Sequence, residues 1–211
     1  MSVLVFIDTR GEKLPKAAQE AVTYASKLAG KPVTAVTFGG ASGLESLGAQ
    51  GAAKVIVARG VTAVDGQQLT KLVTDVAAKE GANTIVFVHD GTGKSVAPRV
   101  AAKLKAGHVA GALGLPEGDK FKRNVFSGKA QAWLQVTSAN KVISLMPNSI
   151  PVGKDGGSAT VEEYSGDTAT PASAARMWWR NRSAPMTAGC VAANASACRG
   201  RSASQAIAGR R

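Results

Sequence analysis

Apolar residues come in two rhythms over the first 110 positions. The runs SVLVFID (2–8), PVTAVTFGG (32–40), AKVIVARG (53–60) and NTIVFVHD (83–90) are short, β-branched and almost continuously apolar. Such runs predict strands covered on both faces, not strands with one wet side. Between them the spacing changes to three and four. In KAAQEAVTYASKLAG (16–30), Ala17, Ala21, Tyr24, Ala25 and Leu28 share one helical face, and Gly30 stands where a helix stops. DGQQLTKLVTDVAAKEG (65–81) repeats the pattern with Leu69, Leu72, Val73, Val76 and Ala77, and GKSVAPRVAAKLKAG (93–107) predicts a further helix. ASGLESLGAQG (41–51) predicts a short helix.

Strands alternating with helices of this length specify βαβ units, and so a Rossmann-like three-layer α/β domain with a mostly parallel sheet. From Phe121 the alternation ends. FKRNVFSG, KAQAWLQVTSAN and KVISLMPNS are three β-rich runs without a helix between them, and they predict an antiparallel extension at one sheet edge. Trp133 shares a strand face with Gln131 and Gln135, a half-exposed position. After SIPVGKDGG the pattern disappears. The expected organisation is a domain over residues 1–150, a linker over 151–168 and a disordered basic tail over 169–211, where Val191 and Ile207 are the only Leu, Ile, Val or Phe.

Charge sharpens that division. The chain has 211 residues and a formal net charge of +12. Residues 169–211 hold seven Arg, no Lys, no Asp and no Glu, whereas residues 1–168 carry 19 basic and 14 acidic groups, fifteen of the basic ones Lys. Both cysteines, Cys190 and Cys198, lie in the tail, which argues against a disulfide framework, a thiol nucleophile or a cysteine metal site in the folded part. No apolar run approaches the roughly 20 residues of a membrane span. The opening MSVLVFIDTRG has no basic segment before its short apolar run, so a buried first strand and a cytoplasmic location are expected.

Candidate chemistry concentrates in VHDGTGKSVAPRV (88–100), where a predicted strand meets Gly91, Gly93, Lys94 and Ser95 at a predicted helix start. A phosphate-binding loop reads G-x-x-x-x-G-K-[ST], its backbone N–H groups cradling phosphates while the Lys adds charge. Its first Gly would fall at position 88, which is Val. The other reading is a helix N-terminus capped by Asp90 or Thr92. Asp8 and Asp90 end strands on the carboxyl edge, where doubly wound folds place ligands, although strand-end Asp residues more often close turns. No nucleophile accompanies them, so no catalytic constellation is expected. His89 and His108 are the only histidines, and without Cys partners or a His-x-x-Glu-His arrangement no metal site is expected.

VTSANKVISLMPNSIPV (136–152), GTGKSVAPRVAAKLKAG (91–107), FKRNVFSGKA (121–130) and the opening VLVFIDTRGEKLPKAAQEAVTYASKLAG together resemble the N-terminal domain of the electron transfer flavoprotein alpha subunit, over approximately residues 1–168. The resemblance implies an electron carrier rather than an enzyme. It implies a heterodimer with a beta subunit, FAD as cofactor, dehydrogenases as electron donors and a membrane quinone reductase as acceptor. Family members continue into a second domain that binds FAD, marked by Gly-Gly-Arg-Gly and Gly-x-Ser-Gly-x-x-Gln-His segments that do not occur in this sequence. The chain is therefore expected to be truncated, to bind no FAD itself and to be incompetent in electron transfer.

The genetic code suggests why. Met177-Trp178-Trp179 must be ATG TGG TGG, and reading from the third base gives Val-Val, then Glu if Arg180 begins AG. Such a strand start suits the point where the family's second domain begins, so residues from about 170 onward are expected to be out of frame. Two other classes of function stay open: a free-standing nucleotide-binding domain using the Gly91–Ser95 loop, and a nucleic-acid-binding protein acting through its tail.

Overall fold

The computed structural model describes residues 2–9, 14–29, 32–40, 42–61, 65–153 and 157–166. These belong to a compact unit, Met1–Thr170. The tail over 169–211, with its expected disorder and its Trp pair, lies outside the described residues.

The chain begins with β1 (Ser2–Ile7), α1 (Lys16–Ala29), β2 (Val33–Phe38), a 3-10 helix (Leu44–Gln50) and β3 (Ala52–Ala58). It continues through α2 (Gly66–Glu80), β4 (Ala82–Val88) and α3 (Gly91–Lys103) to a long strand, β5 (Gly107–Glu117). β6 (Lys120–Val125), β7 (Ala130–Gln135), β8 (Lys141–Leu145) and β9 (Thr160–Glu163) complete it. All described strands join one sheet in the order β7-β6-β5-β8-β4-β1-β2-β3-β9. Every pairing from β5 through β8 to β9 is parallel, and β6 and β7 are antiparallel. The expected fold class holds.

Both faces of the central strands are covered, as their continuous apolar runs require. Val3, Val5 and Ile7 pack with Ala18, Ala21, Val22 and Ala25 of α1. Leu4 and Phe6 point the other way, toward Leu69, Leu72 and Val73 of α2 and Val96 and Val100 of α3. Phe6 lies between Phe38 and Phe87, at ring-centroid distances of 6.0 Å and 5.4 Å. Each fully buried side chain of this size contributes about 1.5–3 kcal/mol.

Two expectations change. KVISL does not lie in the antiparallel extension; β8 is a parallel strand inserted between β4 and β5. Val142, Ile143, Ser144 and Leu145 are all buried, which an edge position would not allow. The antiparallel arm is instead made by β6 and β7 on the outer side of β5. In the stretch expected as a linker, Thr160–Glu163 forms β9 on the opposite edge, paired with β3. Its four residues are exposed, so no apolar pattern announces it. Side chains help fix it: Lys54 Nζ lies 2.9 Å from Glu162, and Arg59 Nε 2.7 Å from Glu163.

Candidate functional site

The strand order reverses direction between β1 and β4, which places a crevice at their carboxyl ends. Asp8 and Thr9 follow β1, while His89 and Asp90 are the only residues between β4 and α3. Backbone geometry explains this tight junction. A Cβ on Gly93 would lie 1.9 Å from the carbonyl oxygen of Val88, so only glycine lets α3 start this close to β4. Gly91 has open space around it.

The helix start is closed by the chain's own carboxylates. Asp90 is the N-cap, and its Oδ1 accepts the Gly93 N–H at 2.6 Å. The Thr92 hydroxyl donates to Asp8 Oδ2 at 2.6 Å, and the Ser95 hydroxyl donates to the Thr92 carbonyl at 2.8 Å. Lys94 is exposed, with its N–H donating to the Asp90 carbonyl at 2.9 Å. Gly91, Gly93, Lys94 and Ser95 are thus brought together at a helix N-terminus, as expected. The two-residue junction lacks the long loop whose N–H groups wrap a phosphate, and Asp8 and Asp90 supply negative charge where a phosphate would sit.

Beside this crevice the sheet gathers two histidines and Arg123. The His89 N–H donates to the Leu145 carbonyl at 2.8 Å, while its Nδ1 is buried with no hydrogen bond among the described residues. Burial, followed by the charges of Lys94 and Arg123, holds His89 below the usual imidazole range; Asp90 acts weakly in the opposite sense. His108 Nε2 lies 3.1 Å from the Ser144 hydroxyl, and burial, then His89 and Arg123, lower it as well. Sequence separation hid this grouping. Arg123 comes from the antiparallel arm and Ser144 from β8, and neither carries a motif. Among the described residues no group of three or more His, Cys, Asp or Glu could hold a metal ion.

The arm itself is the other notable surface. Phe126 is 80% exposed, Trp133 47% and Leu115 44%. Phe126 and Ser127 turn the chain between β6 and β7 with φ of 51° and 55°, left-handed values that non-glycine residues adopt at a cost. Lys122 Nζ sits 5.8 Å from the centroid of the Trp133 ring.

These features define a doubly wound α/β domain whose sheet carries an exposed antiparallel arm. The family described as "Electron transfer flavoprotein domain" matches residues 3–169, and the chain belongs to that family. The electron transfer flavoprotein subunit alpha of Pseudomonas aeruginosa is 30% identical over 171 residues, covering 79% of this chain and 55% of the relative. A Caenorhabditis elegans protein named "Probable electron transfer flavoprotein subunit alpha, mitochondrial" is 27% identical over 165 residues, covering 76% and 50% respectively. The chain spans about half the length of these curated relatives. Among the described residues, no helix is long and apolar enough to cross a membrane.

Proposed function

We propose that this chain supplies the N-terminal domain of an electron transfer flavoprotein alpha subunit. Here the domain acts as a scaffold that pairs with a beta subunit and holds no flavin of its own. The observation that supports this reading is the family match across residues 3–169, together with relatives named as alpha subunits. In the intact heterodimer the FAD would carry electrons from dehydrogenases to a quinone reductase, in the cytoplasm. The contribution of this domain is to bind and orient, not to catalyse. Its switch-point crevice suits that role, because Asp90 and Asp8 are engaged in building the α3 start.

Co-expression with the beta subunit of the same organism tests the reading. The two chains should elute together, and the chain purified alone should show no flavin absorbance. Flavin bound to the lone chain would overturn the cofactor part of the proposal, and separate elution would overturn the pairing. The alternative of a free-standing nucleotide-binding domain predicts ATP or AMP binding that is lost on Lys94→Ala. No specific observation in the crevice favours it over the capped helix start.

A further inference from the structure

The charges of this domain are unevenly placed. From Gly91 to Gly153 there are nine Lys and Arg, and the only acidic residues are Glu117 and Asp119. Both lie at the β5–β6 turn, and Asp119 is already paired with Lys141. Residues 1–90, by contrast, balance nine basic groups against eight acidic ones. The unbalanced half comprises α3, β5, the β6–β7 arm and β8. On the arm, Lys120 and Lys129 are exposed, Lys122 covers one face of Trp133, and the buried Arg123 Nε makes no hydrogen bond among the described residues.

Apolar groups sit within this positive field. Phe126 is the most exposed large apolar side chain among the described residues, at 80%, and the arm holds it there through two consecutive left-handed residues. The tight hairpin turn accounts for that backbone geometry, but an exposed phenyl ring at its tip gains nothing in isolation. An exposed aromatic anchor on an arm that carries Lys120, Lys122 and Lys129 and no acidic residue is the arrangement expected of an interface hot spot.

We infer that the β6–β7 arm docks an acidic face of the beta subunit, which offers an apolar pocket to Phe126 and carboxylates to Lys120 and Lys129. This rests on the pairing proposed above and adds its location and chemistry. Residues 168–211 contain no acidic group that could cover the arm. A second copy is a poor complement. The acidic pair on its far edge, Glu162 and Glu163, is already engaged by Lys54 and Arg59.

Titration of the purified chain with the purified beta subunit, at several salt concentrations, tests the inference. Affinity should fall steeply with salt, because surface charge attraction is screened over about 10 Å at 0.1 M ionic strength. Lys120→Glu with Lys129→Glu should weaken binding about tenfold or more at low salt and flatten the salt dependence. Phe126→Ala should weaken it about thirtyfold at every salt concentration. All three residues are exposed, so the folded domain should be retained, as circular dichroism would verify. A complex that is indifferent to salt and to these substitutions would overturn the inference and leave the pairing standing. Absence of any complex would overturn both. A salt-sensitive self-association lost in Phe126→Ala would reassign the face to a second copy and overturn the inference.

Discussion

Whether α3 can begin where it does depends on the absence of one methyl group at Gly93. A Cβ there would meet the Val88 carbonyl at 1.9 Å, against backbone that cannot move without disturbing β4. Gly93→Ala should destabilise the domain by about 3 kcal/mol, the upper part of the range for overpacking, whereas Gly91→Ala should be nearly neutral. Asp90→Ala removes the cap on Gly93 and should cost about 1 kcal/mol. Urea melts of the three variants check this, and equal costs at 91 and 93 would show that the close contact is not what matters. The histidines make a second claim at this scale. Burial depresses both His89 and His108 in the folded state, relative to an unperturbed 6.5. The unfolded chain therefore binds protons first as pH falls. Their contribution is intact above 6.5 and declines as pH drops from 6.5 through the folded values. The melting temperature should fall over that window, and His89→Gln with His108→Gln should flatten the fall. An unchanged slope in the double variant would place the acid sensitivity elsewhere.

Strands differ in what announces them and in what holds them. β1, β2 and β4 are apolar on both faces and central in the sheet, so both their existence and their partners follow from the residues themselves. β8 has the same composition, yet its place was not legible. A run such as KVISL states that it is buried, not whether its neighbours are parallel, and here the chain passes from β7 back across the sheet to slot it between β4 and β5. Local contacts guide the crossing: the Ser138 hydroxyl accepts the Gly107 N–H at 2.7 Å, and Asn140 Nδ2 donates to the Leu104 carbonyl at 3.3 Å. β9 was illegible for a different reason, since TVEE carries no apolar pattern and its ion pairs join residues more than a hundred positions apart. The capped helix start was legible because Asp90 and Gly93 are neighbours in sequence. The His89–His108–Arg123 grouping was not, because three separate elements assemble it. Hydrogen exchange should follow the same hierarchy. Amides of β1, β2 and β4 should exchange only on global unfolding, while those of β9, short and exposed, should exchange through local opening. Comparable protection in β9 and β1 would mean that the edge strand belongs to the cooperative core.

At the scale of the whole chain, the strongest asymmetry lies in how positive charge is carried. Up to residue 168 it is mostly Lys and is interleaved with acids; beyond that it is seven Arg with no acid at all. The two kinds of charge should act separately. Cations on the folded domain are held in place on the sheet and its arm, so their effect should depend on the identity of particular residues. Seven Arg in a segment with almost no large aliphatic residues should instead attract any polyanion, with a salt dependence set by the number of phosphates neutralised, roughly 0.9 in log–log slope for each on duplex DNA. Cutting the chain after Thr170, the end of the compact unit, separates the two. The shortened chain should keep the melting temperature of the full one, because the apolar cores on both sheet faces lie entirely before that point. It should also lose most of its affinity for duplex DNA of arbitrary sequence, and the salt slope should fall. Affinity for the beta subunit should persist, because Phe126, Lys120 and Lys129 remain. Loss of folding on shortening would show that the domain needs residues beyond 170. If DNA affinity survived the cut undiminished, the basic half of the sheet, and not the Arg-rich segment, would be the polyanion surface, and the salt-sensitive docking assigned to the arm would have a competitor.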